Sequence, residues 1–508
     1  MLSPAPDAPA RAGTREWAAL VVLMLPVLLI SVDNTVLNFA LPEISRELRP
    51  TGTQLLWMVD AYPLVLAGLL VPMGSLGDRV GRRRLLLVGS TGFAAVSALA
   101  AFAPTGEALV AARALLGLFG SMLMPATLSL LRNIFHDPTQ RRTAIAVWAT
   151  GFSAGGILGP VVGGLLLQHF WWGSVFLLAV PVLLPLLVLA PVLVPESRNP
   201  APGPVDVPSA VLIITAMVAL VHGIKDLGGH GPSPGALAAV VLAAAAGTLF
   251  VRRQLRSPVP MLDLRLFRHA PFTGGLLNNL VASTTFIGFL FFVSQYLQLV
   301  EGLPPLEAGL ALLPGAAVTI ASGLLVVHVV GVVPPALVLG GGLLVMASGF
   351  LLVLLGDLSG GVVLVVALMV IGLGSGAAQT IAGDLILTEV APEQAGAASA
   401  ISETAYELGA GLGVAVLGTA VTATYARRTD VPPGLDPEQA AIASETLGGA
   451  VDVAATLGPA ASEELLASSV AAFEAGVHLS AGIGAALLAG AAVVVGLLLR
   501  RVPRLRRH

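Results

Sequence analysis

Four carboxyl side chains lie inside long apolar stretches of this 508-residue chain. Asp33 follows an apolar run over residues 18–30, and Asp60 stands within the segment LLWMVDAYPLVLAG. Glu403 and Glu407, in SETAYELGAG, are four residues apart and therefore share one face of a helix. Because an ionisable group inside a membrane span is costly, it is by default a candidate functional site.

Arg113, in the segment ARALLG, is the only basic residue that the sequence places within an apolar span. A buried Arg pairs with acids or backbone carbonyls, so it can neutralise one of the four acids. The other three must be protonated, hydrated or waiting for an external cation, and an arriving cation favours loss of the proton. We therefore assign proton coupling to Asp33, Asp60 and Glu407, and substrate binding to all four acids. Arg113 has two open interpretations, a part in proton movement or a structural partner for an acid of the first two spans.

Aromatic side chains accompany these acids and could hold a cation over their rings. Those assigned to a substrate-binding wall are Trp57, Tyr62, Tyr406, Phe289 and Phe292. Trp57 and Tyr62 flank Asp60, whereas Phe289 and Phe292 belong to one face of a predicted helix. Packing is the competing explanation for that face.

Membrane helices carry these residues. The chain is 56% hydrophobic and 11% charged, with a mean hydropathy of +0.91. A bilayer core needs roughly 20 apolar residues per helix, and such stretches recur along the whole chain. We predict an all-α polytopic membrane protein with fourteen spans, near 17–40, 54–76, 84–103, 107–131, 143–167, 174–195, 208–226, 234–252, 271–299, 306–328, 333–355, 360–386, 397–425 and 474–499.

Basic residues predict the orientation. With the N-terminus inside, 20 of the 26 Lys and Arg residues fall in cytoplasmic loops and tails, and five, including Lys225, fall outside. This bias follows the positive-inside rule, so we expect both termini in the cytoplasm.

A weak internal repeat relates the two parts of the chain. A shift of 254 residues places Gly120-Ser121 on Gly374-Ser375, and Gly155 and Gly159 on Gly409 and Gly413. This shift equals eight spans and predicts two six-helix halves with two inserted helices, a 6+2+6 order. Parallel halves with a substrate site between them are a common transporter architecture. The predicted parts are a cytoplasmic N-terminal tail (1–16), a first half (17–195), inserted helices and cytoplasmic loops (196–270), and a second half (271–508) with an extracellular helical loop (426–473), in which Asp436-Pro437 marks a helix start.

Two glycine-rich motifs are candidates for gating. The first, GSLGDRVGRRR, contains Gly74, Gly77, Asp78, Arg79, Gly81, Arg82 and Arg83. The second, AGGILGPVVGG, contains Gly155, Gly159, Pro160 and Gly163. Glycine every four residues makes a smooth helix face for close packing, which alone could explain the second motif.

These motifs, together with VDNTVLNFALPEI and SETAYELG, closely resemble the 14-helix drug:proton antiporters of the major facilitator superfamily, of the QacA and SmvA type. The resemblance implies the major facilitator fold and an inner latch formed by Asp78 and nearby arginines. It also implies roles for Asp33, Asp60, Glu403 and Glu407 in proton coupling and cation recognition. The second glycine motif resembles one found in antiporters and generally lost in symporters, which points to export.

We therefore expect a proton-driven exporter of lipophilic cations, such as quaternary ammonium compounds and dyes, in the cytoplasmic membrane. It should be a monomer that binds small cations, protons and lipid, with no nucleic acid, cofactor or metal. Alternatives are a dedicated exporter of an endogenous metabolite or antibiotic, a proton-coupled importer, and a membrane enzyme or receptor. The chain lacks cysteine and any G-x-x-x-x-G-K-[ST] segment, which excludes thiolate metal sites and a phosphate loop for ATP.

Overall fold

A computed structural model describes residues 12–199, 205–329, 332–388 and 395–500. The predicted N-terminal tail therefore lies outside the described residues up to residue 11, as do the arginines after residue 500. The first part of the chain contains helices α1 (Thr14–Leu48), α2 (Gly52–Val80), α3 (Arg82–Ala100), α4 (Gly106–Ile134), α5 (Pro138–His169), α6 (Ser174–Leu177) and α7 (Ala179–Leu193).

The rest of the described chain is also helical. Two helices follow the first part, α8 (Val207–His230) and α9 (Pro234–Arg256). The remaining helices are α10 (Ala270–Gln295), α11 (Pro305–Val329), α12 (Pro335–Leu355), α13 (Val362–Thr388), α14 (Ala395–Gly413), α15 (Thr419–Arg428), α16 (Pro437–Glu445), α17 (Leu447–Ala454) and α18 (Pro459–Leu499). Five-residue π-helical turns continue α10 through Tyr296–Val300 and join α14 to α15 through Val414–Gly418.

Twelve helical stretches in the described chain are long and apolar enough to cross a membrane. Helices α3 and α5 lie where two further spans are predicted. The all-helical fold agrees with the sequence, and the prediction of fourteen spans fits this arrangement. One difference is that α18 begins at Pro459, fifteen residues before the predicted span.

The same helix pairings occur in both parts of the molecule. In the first part α1 packs on α5, α2 on α4, and α3 on α4 and α7. Eight spans later α10 packs on α14, α11 on α13, and α12 on α13 and α18. The pairings thus follow the eight-span shift of the sequence repeat.

Glycines allow the closest of these contacts. A Cβ at Gly155 would lie 2.6 Å from Ser31 Cβ, and one at Gly159 would overlap Thr35 Oγ1. In the second part Gly409 lies equally close to Ser283. The repeated glycines therefore bring α5 onto α1, and α14 onto α10, where larger residues would not fit.

The two parts meet through α2 with α14 and through α5 with α11. We call the end near the α2–α3 turn the basic end, and the end near α16 and α17 the cap end. Toward the cap end, Ser294 Oγ donates to the Asn38 carbonyl at 2.9 Å, and Gln298 Nε2 donates to the Phe39 carbonyl at 3.3 Å. These bonds tie α10 to α1.

A small helical cap covers that end. Helix α16 begins after Asp436, whose carboxylate accepts a hydrogen bond from Gln439 N at 2.8 Å. The helix start predicted at Asp436-Pro437 is therefore confirmed. Glu445, at the end of α16, accepts a hydrogen bond from Gly52 N at 2.9 Å and so joins the cap to the start of α2.

Candidate functional site: two buried acid clusters

The first buried ion pair joins α1 to α4. Arg113 Nη1 lies 2.7 Å from Asp33 Oδ2, and the side chains are 2% and 8% exposed. Arg113 Nε also donates to the Met58 carbonyl at 3.0 Å, and its guanidinium lies 4.6 Å from the centre of the Tyr62 ring. Arg113 is therefore a partner of an acid in the first span, as one of its two interpretations proposed.

The acids of α14 approach this pair from the second part of the molecule. Glu407 is fully buried, and its Oε1 accepts a hydrogen bond from Asn34 Nδ2 at 3.2 Å. Glu403 lies one helical turn away on α14. One carboxyl oxygen of each Glu has no hydrogen-bond partner among the described residues. Asn34 follows Asp33 directly in α1. Its hydrogen bond to Glu407 therefore brings the acids of the two halves together.

A small enclosed cavity of about 20 Å³ lies at this meeting point. Its lining residues are Asn34, Leu37, Val59, Pro63, Arg113, Ile287, Tyr406 and Ala410. The predicted residue Tyr406 is thus placed beside Arg113. The cavity has room for about one water molecule, so the centre is closed in this conformation.

We call Asp33, Asn34, Arg113, Glu403 and Glu407 the central cluster. It contains three carboxyl groups and one guanidinium, so Arg113 can neutralise only one of its acids. The other two can hold protons or an incoming cation. In the described part of the chain, no three His, Asp or Glu side chains are arranged to hold a metal ion.

The fourth acid lies elsewhere. Asp60 is fully buried on the side of α2 that faces α8, and its Oδ2 lies 2.7 Å from Lys225 Nζ. The Lys225 ammonium also lies 3.9 Å from the centre of the Trp57 ring. We call Asp60 and Lys225 the seam pair, because they lie where α8 covers α2.

The seam pair corrects two expectations. The sequence places Lys225 among the five basic residues on the outer side, but it lies within α8 and is only 2% exposed. Arg113 is therefore not the only basic residue among the spans, and two of the four acids have a basic partner. Asp60 was also expected beside the other acids, whereas its ion pair is made with an inserted helix.

The aromatic residues divide in a similar way. Trp57 lies against Lys225, but Tyr62 is turned toward Arg113 rather than toward the acid beside it in sequence. Phe289 and Phe292 are fully buried and in contact with each other, and Phe289 also packs on Phe350 of α12. The prediction that these two phenylalanines line a cation cavity does not match this placement, since their helix face is directed into the packed interior of the second part.

The first glycine motif forms the turn between α2 and α3. Gly81 has φ +119°, a conformation that favours glycine, and a Cβ there would lie 2.8 Å from the carboxyl carbon of Glu196. Asp78 Oδ1 pairs with Arg82 Nη2 at 2.8 Å. Arg83 Nη1 donates to the Val194 carbonyl at 2.9 Å. These contacts bind the turn to the segment after α7.

The remaining glycines and the proline of the two motifs are packing residues. A Cβ at Gly74 would lie 3.6 Å from Pro125 of α4, and one at Gly77 would lie 3.1 Å from Leu85. Gly163 packs against Val36, while the Pro160 carbonyl lies against Gly309 of α11. Arg79 lies in the last turn of α2. Most of these contacts lie within the first half, whereas the contact of Pro160 with Gly309 joins it to the second half.

Two functional candidates escaped prediction. Asn34 is a second polar residue beside Asp33 in an apolar run, which was a visible signal. Lys225 stands next to Asp226 in GIKDLGGH, near the end of a span, so its local sequence resembles a loop. Only the packing of α8 on α2 reveals its partner.

Comparisons with known proteins agree with this architecture. The sequence profile of the Major Facilitator Superfamily matches residues 23–414. The multidrug efflux pump LfrA of Mycolicibacterium smegmatis is 56% identical over 492 residues, which cover 97% of this chain and 98% of LfrA. The methyl viologen resistance protein SmvA of Salmonella typhimurium is 37% identical, covering 90% of this chain and 93% of SmvA.

One more relative and one solved structure are also similar to this chain. The tetracenomycin C resistance and export protein of Streptomyces glaucescens is 34% identical, covering 87% of this chain and 84% of that protein. Among solved structures, a bacterial homolog of the human lysosomal transporter Spinster is similar with a TM-score of 0.66. It is 16% identical in sequence and covers 96% of this chain and 98% of the solved chain, a likeness of fold.

Proposed function

The chain belongs to the Major Facilitator Superfamily and is a multi-pass membrane protein, and from this premise we propose that it exports lipophilic organic cations in exchange for protons. In this proposal it lies in the cytoplasmic membrane with both termini in the cytoplasm and works as a monomer. It needs no cofactor, and it changes no covalent bond in its substrate.

The observation that carries the proposal is the charge balance of the central cluster. Asp33 has Arg113 as its partner, whereas the hydrogen-bond partner of Glu407 among the described residues is the neutral amide of Asn34. A carboxyl group buried without a cation is most stable when it holds a proton. A substrate cation that enters beside Glu407 stabilises the ionised form, so the proton leaves. Proton and cation then exclude each other, and each turnover exchanges one for the other.

Within this mechanism we assign separate roles to the two glutamates. Glu407 is the proton-carrying group of the second half, because it is fully buried and joins the first half through Asn34. Glu403, one turn nearer the basic end, contacts the substrate. Tyr406 lines the same closed centre and offers an aromatic face.

Arg113 links the protonation of Asp33 to the packing of three helices. It holds Asp33 and the Met58 carbonyl together and so connects α1, α2 and α4. Protonation of Asp33 would weaken the ion pair and free the guanidinium to change partners. We propose that this change accompanies the movement of one half against the other.

The glycine motifs provide surfaces for that movement. Helix α5 lies closely on α1 and also contacts α11 of the other half. At the basic end, Asp78 and Arg82 order the α2–α3 turn. We propose that the turn acts as a latch when the halves close at that end.

The relatives support organic cations as the substrate class. LfrA is a multidrug efflux pump, and SmvA confers resistance to methyl viologen, which is an organic cation. A second candidate function is the export of one endogenous metabolite or antibiotic. The similarity to a tetracenomycin C export protein favours that alternative, although at lower identity.

Transport into inverted membrane vesicles tests the proposal. When the vesicle lumen is acidified, vesicles containing the protein should accumulate ethidium, and a protonophore should stop the accumulation. Vesicles with Glu407→Gln serve as the matched control and should not accumulate the dye. Transport that persists without the gradient, or that never exceeds that of vesicles lacking the protein, would contradict proton-driven export. Growth of a pump-deficient host on a panel of cations separates a multidrug pump from a single-substrate exporter.

A further inference from the structure

Lys225 is the only lysine in the chain, since the other 25 of the 26 basic Lys and Arg residues are arginines. It is also 2% exposed, in a protein whose other basic residues lie mostly toward the loops. An ammonium is a compact charge that is more strongly hydrated than a guanidinium, so its burial is unusual. The surroundings of Lys225 therefore need an explanation.

Those surroundings have the chemistry of an organic-cation site. Lys225 Nζ lies 2.7 Å from Asp60 Oδ2 and 3.9 Å from the centre of the Trp57 ring. A carboxylate beside an aromatic face binds ammonium ligands through charge and cation–π attraction. The second oxygen of Asp60 has no hydrogen-bond partner among the described residues, so the carboxylate depends on this one cation.

An apolar space lies in the same seam. A cavity of about 350 Å³ begins two turns along α2 from Asp60, at Ala67 and Gly68. Its other walls come from α8, α9, α10, α14 and the segment before α10, and include Met217, Phe250, Phe267 and Leu408. This volume lies at the lower end of the range for small-molecule pockets. Leu64, Met217 and Val221 belong to a small apolar cluster that adjoins the cavity at Met217.

Lys225 stands close to the end of its helix. Helix α8 ends at His230, and Gly231 follows with φ +75°. Glycines at 228 and 229 also belong to this last turn. The Gly228 carbonyl in this turn accepts a hydrogen bond from Arg427 Nη2 of α15 at 2.6 Å, so release of the ammonium toward the cap end requires the last turn of α8 to part from α15.

We propose that Asp60 and Trp57 form a second organic-cation site, in which the ammonium of Lys225 takes the place of the substrate in this conformation. A lipophilic cation binds there only by displacing Lys225, with its apolar body in the seam between α2, α8 and α14. Lys225 thus sets the affinity of the second site, because every incoming cation must compete with it. This inference rests on the proposed export of organic cations.

The single lysine makes the displacement measurable in the wild-type protein. Reductive methylation with isotopically labelled formaldehyde modifies only Lys225 and the N-terminal amine, and peptide mass spectrometry separates the two. Saturating tetraphenylphosphonium or ethidium should raise the initial rate of Lys225 methylation about tenfold or more, because the ligand shifts the population toward released lysine. The N-terminal amine should react at a constant rate and serves as the internal reference.

A tryptophan pair provides the matched control. Trp57→Leu removes the aromatic face and should reduce the ligand-induced rise, whereas Trp171→Leu changes a partly exposed residue of the α5–α6 turn and should leave it intact. Ethidium fluorescence in the same samples reports binding. If ethidium binds while Lys225 methylation stays constant or slows, the second site is refuted and the proposed export stands. If ethidium does not bind at all, both proposals fall.

Discussion

The central cluster and the seam pair both bury carboxylates among the membrane helices, but their charge balance differs. In the seam pair one carboxylate faces one ammonium, whereas the central cluster has three carboxyl groups and one guanidinium. A balanced pair is satisfied by its own chain, so a cation from outside must displace the ammonium before it can bind there. An unbalanced cluster must take a proton or a cation from outside, and which of the two it takes depends on conditions. Under the proposed proton/cation exchange, this difference assigns the exchange to the central cluster.

Removal of the unpaired charge should have the largest effect on transport. Glu407→Gln preserves the shape of the side chain but cannot titrate, so gradient-driven efflux of every cation should fall to background. Glu403→Gln, one turn away, is the matched variant and should weaken some cations selectively. Efflux assays with several dyes check both. If the two variants show the same pattern, the division of roles between the glutamates is wrong.

Breaking either ion pair should cost stability. Arg113→Met and Lys225→Met each leave a buried carboxylate without a partner, at a cost of about 3–5 kcal/mol. The double variants Asp33→Asn/Arg113→Met and Asp60→Asn/Lys225→Met remove both charges and should recover most of the loss. Thermal unfolding in detergent measures the four variants. If a single variant unfolds at the same temperature as its double variant, the remaining carboxylate does not depend on the ion pair, and the predicted cost is wrong.

The close contact between α5 and α1 should have a smaller effect on stability. Gly159→Ala places a methyl group against Thr35, whereas a Cβ at Gly156 would lie 3.7 Å from its nearest neighbour, Ser31 Oγ. Overpacking should destabilise the first variant by about 1–3 kcal/mol, and Gly156→Ala should be tolerated. Unfolding temperatures of the two proteins provide the comparison. Equal temperatures would mean that α5 does not depend on its close contact with α1.

The smallest expected effect concerns the start of α8, the helix that carries Lys225. Asp206 caps α8 outside the span; partial burial opposes its charge, but hydrogen bonds from Arg253 and Ser209 outweigh this and hold its pKa below the ordinary 3.8. Because the pKa is lower in the folded state, this stabilisation is present above about pH 4 and disappears as the pH falls through the folded value. Asp206→Ala should cost about 1 kcal/mol at neutral pH.

Asp206→Asn is the control for that effect. Asn retains the cap but cannot titrate, so this variant should keep most of the helix stability and lose part of the acid sensitivity. Unfolding measured between neutral and acidic pH tests both variants. An acid sensitivity that is unchanged in Asp206→Asn would exclude this carboxyl as its source.

The sequence predicted what local patterns encode. Apolar lengths located the helices, Asp436-Pro437 marked the start of α16, and the glycine spacing indicated the close faces of α5. The sequence did not predict contacts between segments that are distant in the chain. Lys225 has loop-like neighbours, and its partner Asp60 is 165 residues away. Phe289 and Phe292 show a regular face, but helix periodicity does not distinguish a cavity wall from a packed interior.

Proton release on cation binding tests the central claim most directly. Purified wild-type protein in weak buffer at neutral pH should release protons when tetraphenylphosphonium is added, because the bound cation stabilises the ionised carboxyl group. Glu407→Gln should release fewer protons, while Glu403→Gln should still release them. No release from the wild-type protein, or equal release from Glu407→Gln, would contradict proton/cation exchange at the central cluster.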